Sequence, residues 1–125
     1  MKSATHFGHR CMVLALVASP LLLLAGCHSA YIEATVHNST GGPVSVLEVD
    51  YPSASFGTES LPDGADFHYR FKVLGSGSTK VLWTDAKHQD HTVAGPPLQE
   101  GAEGRMLVTL TSSNASWDVN IHPAR

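Results

Sequence analysis

The sequence predicts an all-β fold, an antiparallel β-sandwich of six to seven strands. Two observations carry that expectation. Beyond residue 30 the apolar side chains recur with a period of two, the signature of strands with one buried face. Clusters of Gly, Pro, Ser, Asn and Asp break those segments about every ten residues, the turn spacing of a sandwich. No stretch after residue 30 sustains a helical apolar face.

The strands follow in order. Ile32, Ala34 and Val36 alternate with Glu33, Thr35 and His37. Val44 to Tyr51 is strand-like with a phase shift: Val44 and Val46 share one parity, whereas Leu47, Val49 and Tyr51 share the other. A bulge near Val46-Leu47 reconciles them. Phe67, Tyr69, Phe71 and Val73 alternate with His68, Arg70 and Lys72, aromatics inward and charge outward. Thr79, Val81 and Trp83 form the next set, and Gln89 to Ala94 a weaker strand. Met106, Val108 and Leu110, then Trp117, Val119 and Ile121, complete the series.

Turn chemistry separates them. Asn38-Ser39-Thr40-Gly41-Gly42-Pro43 divides the first two strands. Leu61-Pro62-Asp63-Gly64 places Pro second and Gly fourth, as a type I turn prefers. Gly75-Ser76-Gly77-Ser78 and Ser112-Ser113-Asn114-Ala115 are expected to close hairpins. The strand count and spacing indicate an immunoglobulin-like architecture, with a small barrel as the alternative.

The first 26 residues are of another kind. Lys2 and Arg10 form a positive head, Cys11 to Ala25 is almost wholly apolar, and small residues precede Cys27. These are the parts of a secretory signal, expected to be helical and removed from the mature chain. The apolar run is shorter than the ~20 residues a spanning helix needs, and Pro20 interrupts it. Leu24-Ala25-Gly26-Cys27 resembles a bacterial lipobox. That resemblance implies cleavage between Gly26 and Cys27 and a diacylglyceryl group on the Cys27 thiol. Two or three acyl chains, at ~0.8 kcal/mol per buried CH2, hold a protein stably on a bilayer. The organisation is then a signal peptide over 1–26, a lipidated cysteine and short tether over 27–30, and a β-sandwich over 31–125. The lipobox, Phe56-Gly57, Leu61-Pro62-Asp63-Gly64 and the aromatic strand that follows are together similar to small bacterial lipoproteins with one immunoglobulin-like domain of unknown function. The resemblance implies a cell-envelope location, no catalytic residue and no cofactor. In lipoprotein sorting, Asp after the lipidated cysteine favours the inner membrane; His28 and Ser29 stand there instead, which tilts toward the outer membrane where the cell has one.

Charge and cysteine usage narrow the function classes. The part after Gly26 carries six Lys and Arg against eleven Asp and Glu, a net charge of −5 with His neutral. It has no basic patch for nucleic acid and no net attraction to anionic lipid. With Cys11 removed and Cys27 lipidated, no disulfide forms, so the apolar core alone stabilises the domain. His28, Ser29 and Ala30 are the whole spacer, and at ~3.3–3.6 Å per residue they reach roughly 13 Å. The expected partners are therefore the membrane and a protein at that same membrane.

Asp85-Ala86-Lys87-His88-Gln89-Asp90-His91 is the densest polar cluster. Asp85, His88, Asp90 and His91 are the residue types that ligate zinc, copper or nickel. In a hairpin loop, however, the spacing of three between His88 and His91 guarantees no common face. A solvated turn is the plainer expectation, and a metal- or small-ligand site the alternative. His68, Arg70 and Lys72 suggest an anion-binding sheet face, and Tyr31, Tyr51 and Phe56 an aromatic patch, set against ordinary solvated and core roles. There is no G-x-S-x-G elbow, and Gly75-Ser76-Gly77-Ser78-Thr79-Lys80 lacks the Gly-Lys-Ser/Thr order of a phosphate loop. The sequence thus points to a non-enzymatic structural or protein-interaction module.

Overall fold

In the computed structural model, residues 29–123 are described. The expected signal peptide, the Gly26–Cys27 cleavage site and the Cys27 lipidation site lie outside them. Eight strands run through the described residues: β1 (Ile32–Asn38), β2 (Val44–Tyr51), β3 (Ala54–Leu61), β4 (Asp66–Phe71), β5 (Lys80–Thr84), β6 (Asp90–Ala94), β7 (Glu103–Leu110) and β8 (Ala115–His122). They form two four-stranded sheets, ordered β4-β1-β7-β8 and β3-β2-β5-β6. Their inner faces meet as a β-sandwich.

The period-two pattern decides which side chains meet. Ile32, Ala34 and Val36 of β1 point inward beside Met106, Val108 and Leu110 of β7. Val49, Val81 and Trp83 answer them from the second sheet. Trp83 is the bulkiest fully buried side chain, 1% exposed. Burying a large apolar side chain contributes roughly 1.5–3 kcal/mol, and the described residues contain no cysteine to add a disulfide to that. One flank of the sandwich closes with aromatics. Phe56 of β3 stacks 4.6 Å from Tyr69 of β4, and Tyr51 lies 4.2 Å from Phe71. Burial, and secondarily Tyr69, push the Tyr51 phenol above its ordinary value.

The structure departs from the sequence expectation in four places. The strand count is eight, because β3 was not foreseen. Only Phe56 and Leu61 of that strand are buried, and its remaining residues are small or polar, so the alternation is muted. The sheets are not wholly antiparallel, since β1 and β7 pair in parallel from Ile32↔Gly104 to Asn38↔Leu110. Such a pairing joins segments far apart in the chain and leaves no local trace. Gly75 to Ser78 does not close a hairpin, because β4 and β5 belong to different sheets and the segment crosses between them. The Pro62 turn is also displaced: Ala65 N–H donates to Pro62 O, and Gly64 takes a φ of 76°, so proline is the first residue rather than the second.

The β2 phase shift is a bulge, as expected. Pairing with β5 slips between Ser45 and Glu48. Val46 absorbs it at a φ of 51° and is left 67% exposed, so Val44 and Leu47 both reach the core.

Candidate functional site

The Asp85–His91 cluster caps the β5–β6 hairpin. Asp85 N–H donates to Gln89 O at 2.9 Å and His88 N–H to Asp85 O at 3.0 Å, with His88 at a φ of 62°. The Asp85 side chain completes the turn. Its Oδ1 accepts from the backbone N–H of Lys87 at 2.8 Å and of Gln89 at 3.0 Å. Its Oδ2 lies 2.8 Å from Nε2 of His91. Both side chains are sheltered, 13% exposed for Asp85 and 16% for His91. The His91 ring stacks on Trp83 at 5.0 Å and 21°. Asp85 therefore holds the turn to the core through His91. The His91 hydrogen bond, then the backbone donors of Gln89 and Lys87, hold its carboxyl below the ordinary carboxylate value against some desolvation.

The four candidate ligands do not converge. Asp85 and His91 meet. Asp90 precedes His91 on a strand, so its side chain lies on the opposite sheet face, where its Oδ1 accepts from Thr84 Oγ1 at 2.6 Å. His88 sits exposed at the tip of the turn. Among the described residues no group of three or more His, Cys, Asp or Glu side chains is placed to hold a metal ion. The Asp85–His91 pair offers at most two ligands, and three donors already occupy the carboxylate.

A cleft of about 230 Å³ adjoins this turn, lined by Thr40, Gly42, Asp85, Lys87, Gln89 and Ser112 among others. Sequence reasoning did not foresee that gathering. It depends on three loops, β1–β2, β5–β6 and β7–β8, ending at one pole of the sandwich. Asn38 was the available signal. Its side chain is 0% exposed, donating to Gly42 O and Leu61 O and accepting from the N–H and hydroxyl of Thr40. This buried amide, read from sequence as a turn residue, is the knot that sets the β1–β2 loop over the cleft.

The other candidates resolve into packing and cross-strand pairs. His68 Nδ1 is 3.0 Å from Thr35 Oγ1, and Arg70 Nε is 3.2 Å from a Glu33 carboxylate oxygen, each pair directly opposed between β1 and β4. Tyr51 and Phe56 belong to the aromatic flank of the core. Tyr31 stands apart at the opposite pole, beneath the Arg70 guanidinium at 3.9 Å and the Lys72 ammonium at 5.0 Å.

No protein-family model matches the sequence, nor does any curated protein. A solved structure is similar in fold: the NMR structure of a protein from Eubacterium rectale, with a TM-score of 0.54 at 12% sequence identity. The match covers 80% of this chain and 97% of that one. At that identity the likeness is one of fold.

Proposed function

We propose that this chain is a lipid-anchored module of a bacterial cell envelope, acting by contact with a protein partner at the same membrane and not by catalysis. The observation that carries the reading is Leu24-Ala25-Gly26-Cys27 at the close of an apolar run. The strand onset supports it. β1 starts at Ile32, so a lipid on Cys27 sits within a few residues of the folded sandwich. His28 and Ser29 in place of Asp favour the outer membrane where one is present. The sandwich supplies two sheets with free edge strands, the surfaces on which a partner adds a strand or packs.

The alternative, a metal or small ligand at the Asp85–His91 turn, has the saturated Asp85 carboxylate against it. Intact-mass analysis of the chain purified from membranes tests the anchor. The expected species begins at Cys27 and carries fatty acids, and Cys27→Ser leaves an unprocessed, unacylated chain. A soluble product beginning elsewhere overturns the reading.

A further inference from the structure

The two poles of the sandwich differ, and one is built for a lipid surface. β1 enters at the pole where β4 ends, with Ile32 opposite Phe71. The ladder stops there, but Tyr31 still meets Lys72. Ser29 lies with Tyr31, Arg70 and His122 at the same pole, where Leu74 follows two residues after Lys72. Leu74 is 68% exposed, the most exposed of the large hydrophobic side chains among the described residues. Behind it, Arg70 and Lys72 both lie over the Tyr31 ring. Across the same pole, Pro96, Pro97, Val119 and Pro123 line a mainly apolar groove of about 320 Å³. The order from tip to body is thus leucine, then tyrosine and two long cations. A bilayer presents the matching order of acyl chain, interface and phosphate.

We infer that this pole rests on the bilayer, with Leu74 at the acyl boundary, Tyr31 at the interface, and Lys72 at the phosphates beside Arg70, whose Nε is held by Glu33. The inference rests on the lipid-anchor reading and adds an orientation to it. The occupant follows from the chain itself: residue 29 is at this pole, and Cys27 lies two residues before it. A spacer that short cannot lift the pole off the surface. The net charge of the chain is negative, so the acyl chains supply the hold and the rim sets the tilt. The opposite pole, with the Asn38 knot and the Asp85 turn, then faces away from the membrane and is the face open to a partner.

The test uses the full chain, processed in cells, purified in detergent and returned to vesicles of phosphatidylethanolamine and phosphatidylglycerol. In the lipidated chain an introduced cysteine is the one free thiol. Gly75→Cys places it beside Leu74, where an added Cβ meets nothing within 4 Å. Lys87→Cys places it at the far pole. An environment-sensitive fluorophore at residue 75 should shift to the blue and resist aqueous iodide several-fold better than one at residue 87. Leu74→Glu in the Gly75→Cys background should abolish the difference without altering the fold, because Leu74 is exposed. Equal quenching at both positions on a chain whose Cys27 carries lipid overturns the orientation and leaves the anchor standing. A bare Cys27 in the intact mass overturns both.

Discussion

The two poles of this sandwich differ in what they turn outward. At the far pole buried Asn38 lies under the β1–β2 loop and sheltered Asp85 under the β5–β6 turn, and an exposed bond from Thr111 N–H to Asn114 O closes the β7–β8 turn. At the pole where the chain enters, the Leu74 segment and the Pro96–Pro97 segment present apolar and cationic side chains outward. The entry pole has internal ties too, with buried Thr79 donating to Pro96 O at 2.6 Å and Gly77 pairing with Leu98. What differs is the buried Asn38 amide at one pole and the outward-turned side chains at the other. Sensitivity to substitution should therefore divide along the same line.

Asn38→Ala should have the largest effect. It removes the donor to the buried Leu61 O and the part-buried bonds to Gly42 O and from Thr40, and a buried group left unsatisfied costs about 1–3 kcal/mol. A loss of about 3 kcal/mol in urea unfolding, with an unchanged m-value, is expected; Lys72→Ala at the other pole should stay within about 0.5 kcal/mol. Equal losses would break the comparison.

Gly104→Ala tests whether the entry pole is intolerant of volume. Gly104 has a φ of 141°, and a Cβ there would fall 2.1 Å from Asn120 O, a backbone atom with no freedom to retreat. Backbone strain of this kind costs about 1–3 kcal/mol, so a drop of about 2 kcal/mol in the same assay is expected. Val46→Gly should act in the opposite direction. Left-handed backbone costs an L-residue about 1–2 kcal/mol, and glycine escapes that while losing more chain entropy on folding. A net gain of about 0.5–1 kcal/mol is expected from thermal or urea unfolding.

The two poles should also answer to opposite ends of the pH scale. The Asp85 carboxyl titrates below its ordinary 3.8, so its contribution is full above that pH and is lost as pH falls through the lowered value. Tyr51, at the entry pole, titrates above its ordinary 10.0, so its contribution is full below that pH and is lost as pH rises. Asp85→Asn should flatten the acid limb of a stability–pH profile and leave the alkaline limb alone; Tyr51→Phe should do the reverse. Circular dichroism across the pH range reads both.

Much of this fold is written locally. The alternation in β1, β5 and β7 places the core residues directly, whereas in β4 and β8 it overreaches. Tyr69 and Val119, read as inward, are exposed because these are the edge strands of their sheet. Even the β2 bulge is legible, because Val44 and Leu47 can reach one face only if a residue between them is spent. β3 is not legible, since an edge strand with Phe56 and Leu61 as its buried residues lacks the repeated apolar pairs that mark a strand. Nor is the parallel β1–β7 ladder, which depends on register between distant segments. The candidate site was half visible. Asp85 and His91 lie in one cluster of seven residues, but a strand's alternation separates Asp90 from His91, and loop proximity in sequence does not reveal that. The cleft built with Thr40 and Ser112 needs the finished topology.

The parallel pairing of β1 with β7 has a mechanical consequence. β1 starts and β8 ends at the same pole. Tension between those two strand ends would part the ladder rung by rung, as a zipper opens. Tension between that pole and the opposite loops would run along β1 instead, loading its hydrogen bonds to both neighbours in shear so that they must yield together. A molecule held at its entrance and tugged from its far loops is pulled along its strongest axis.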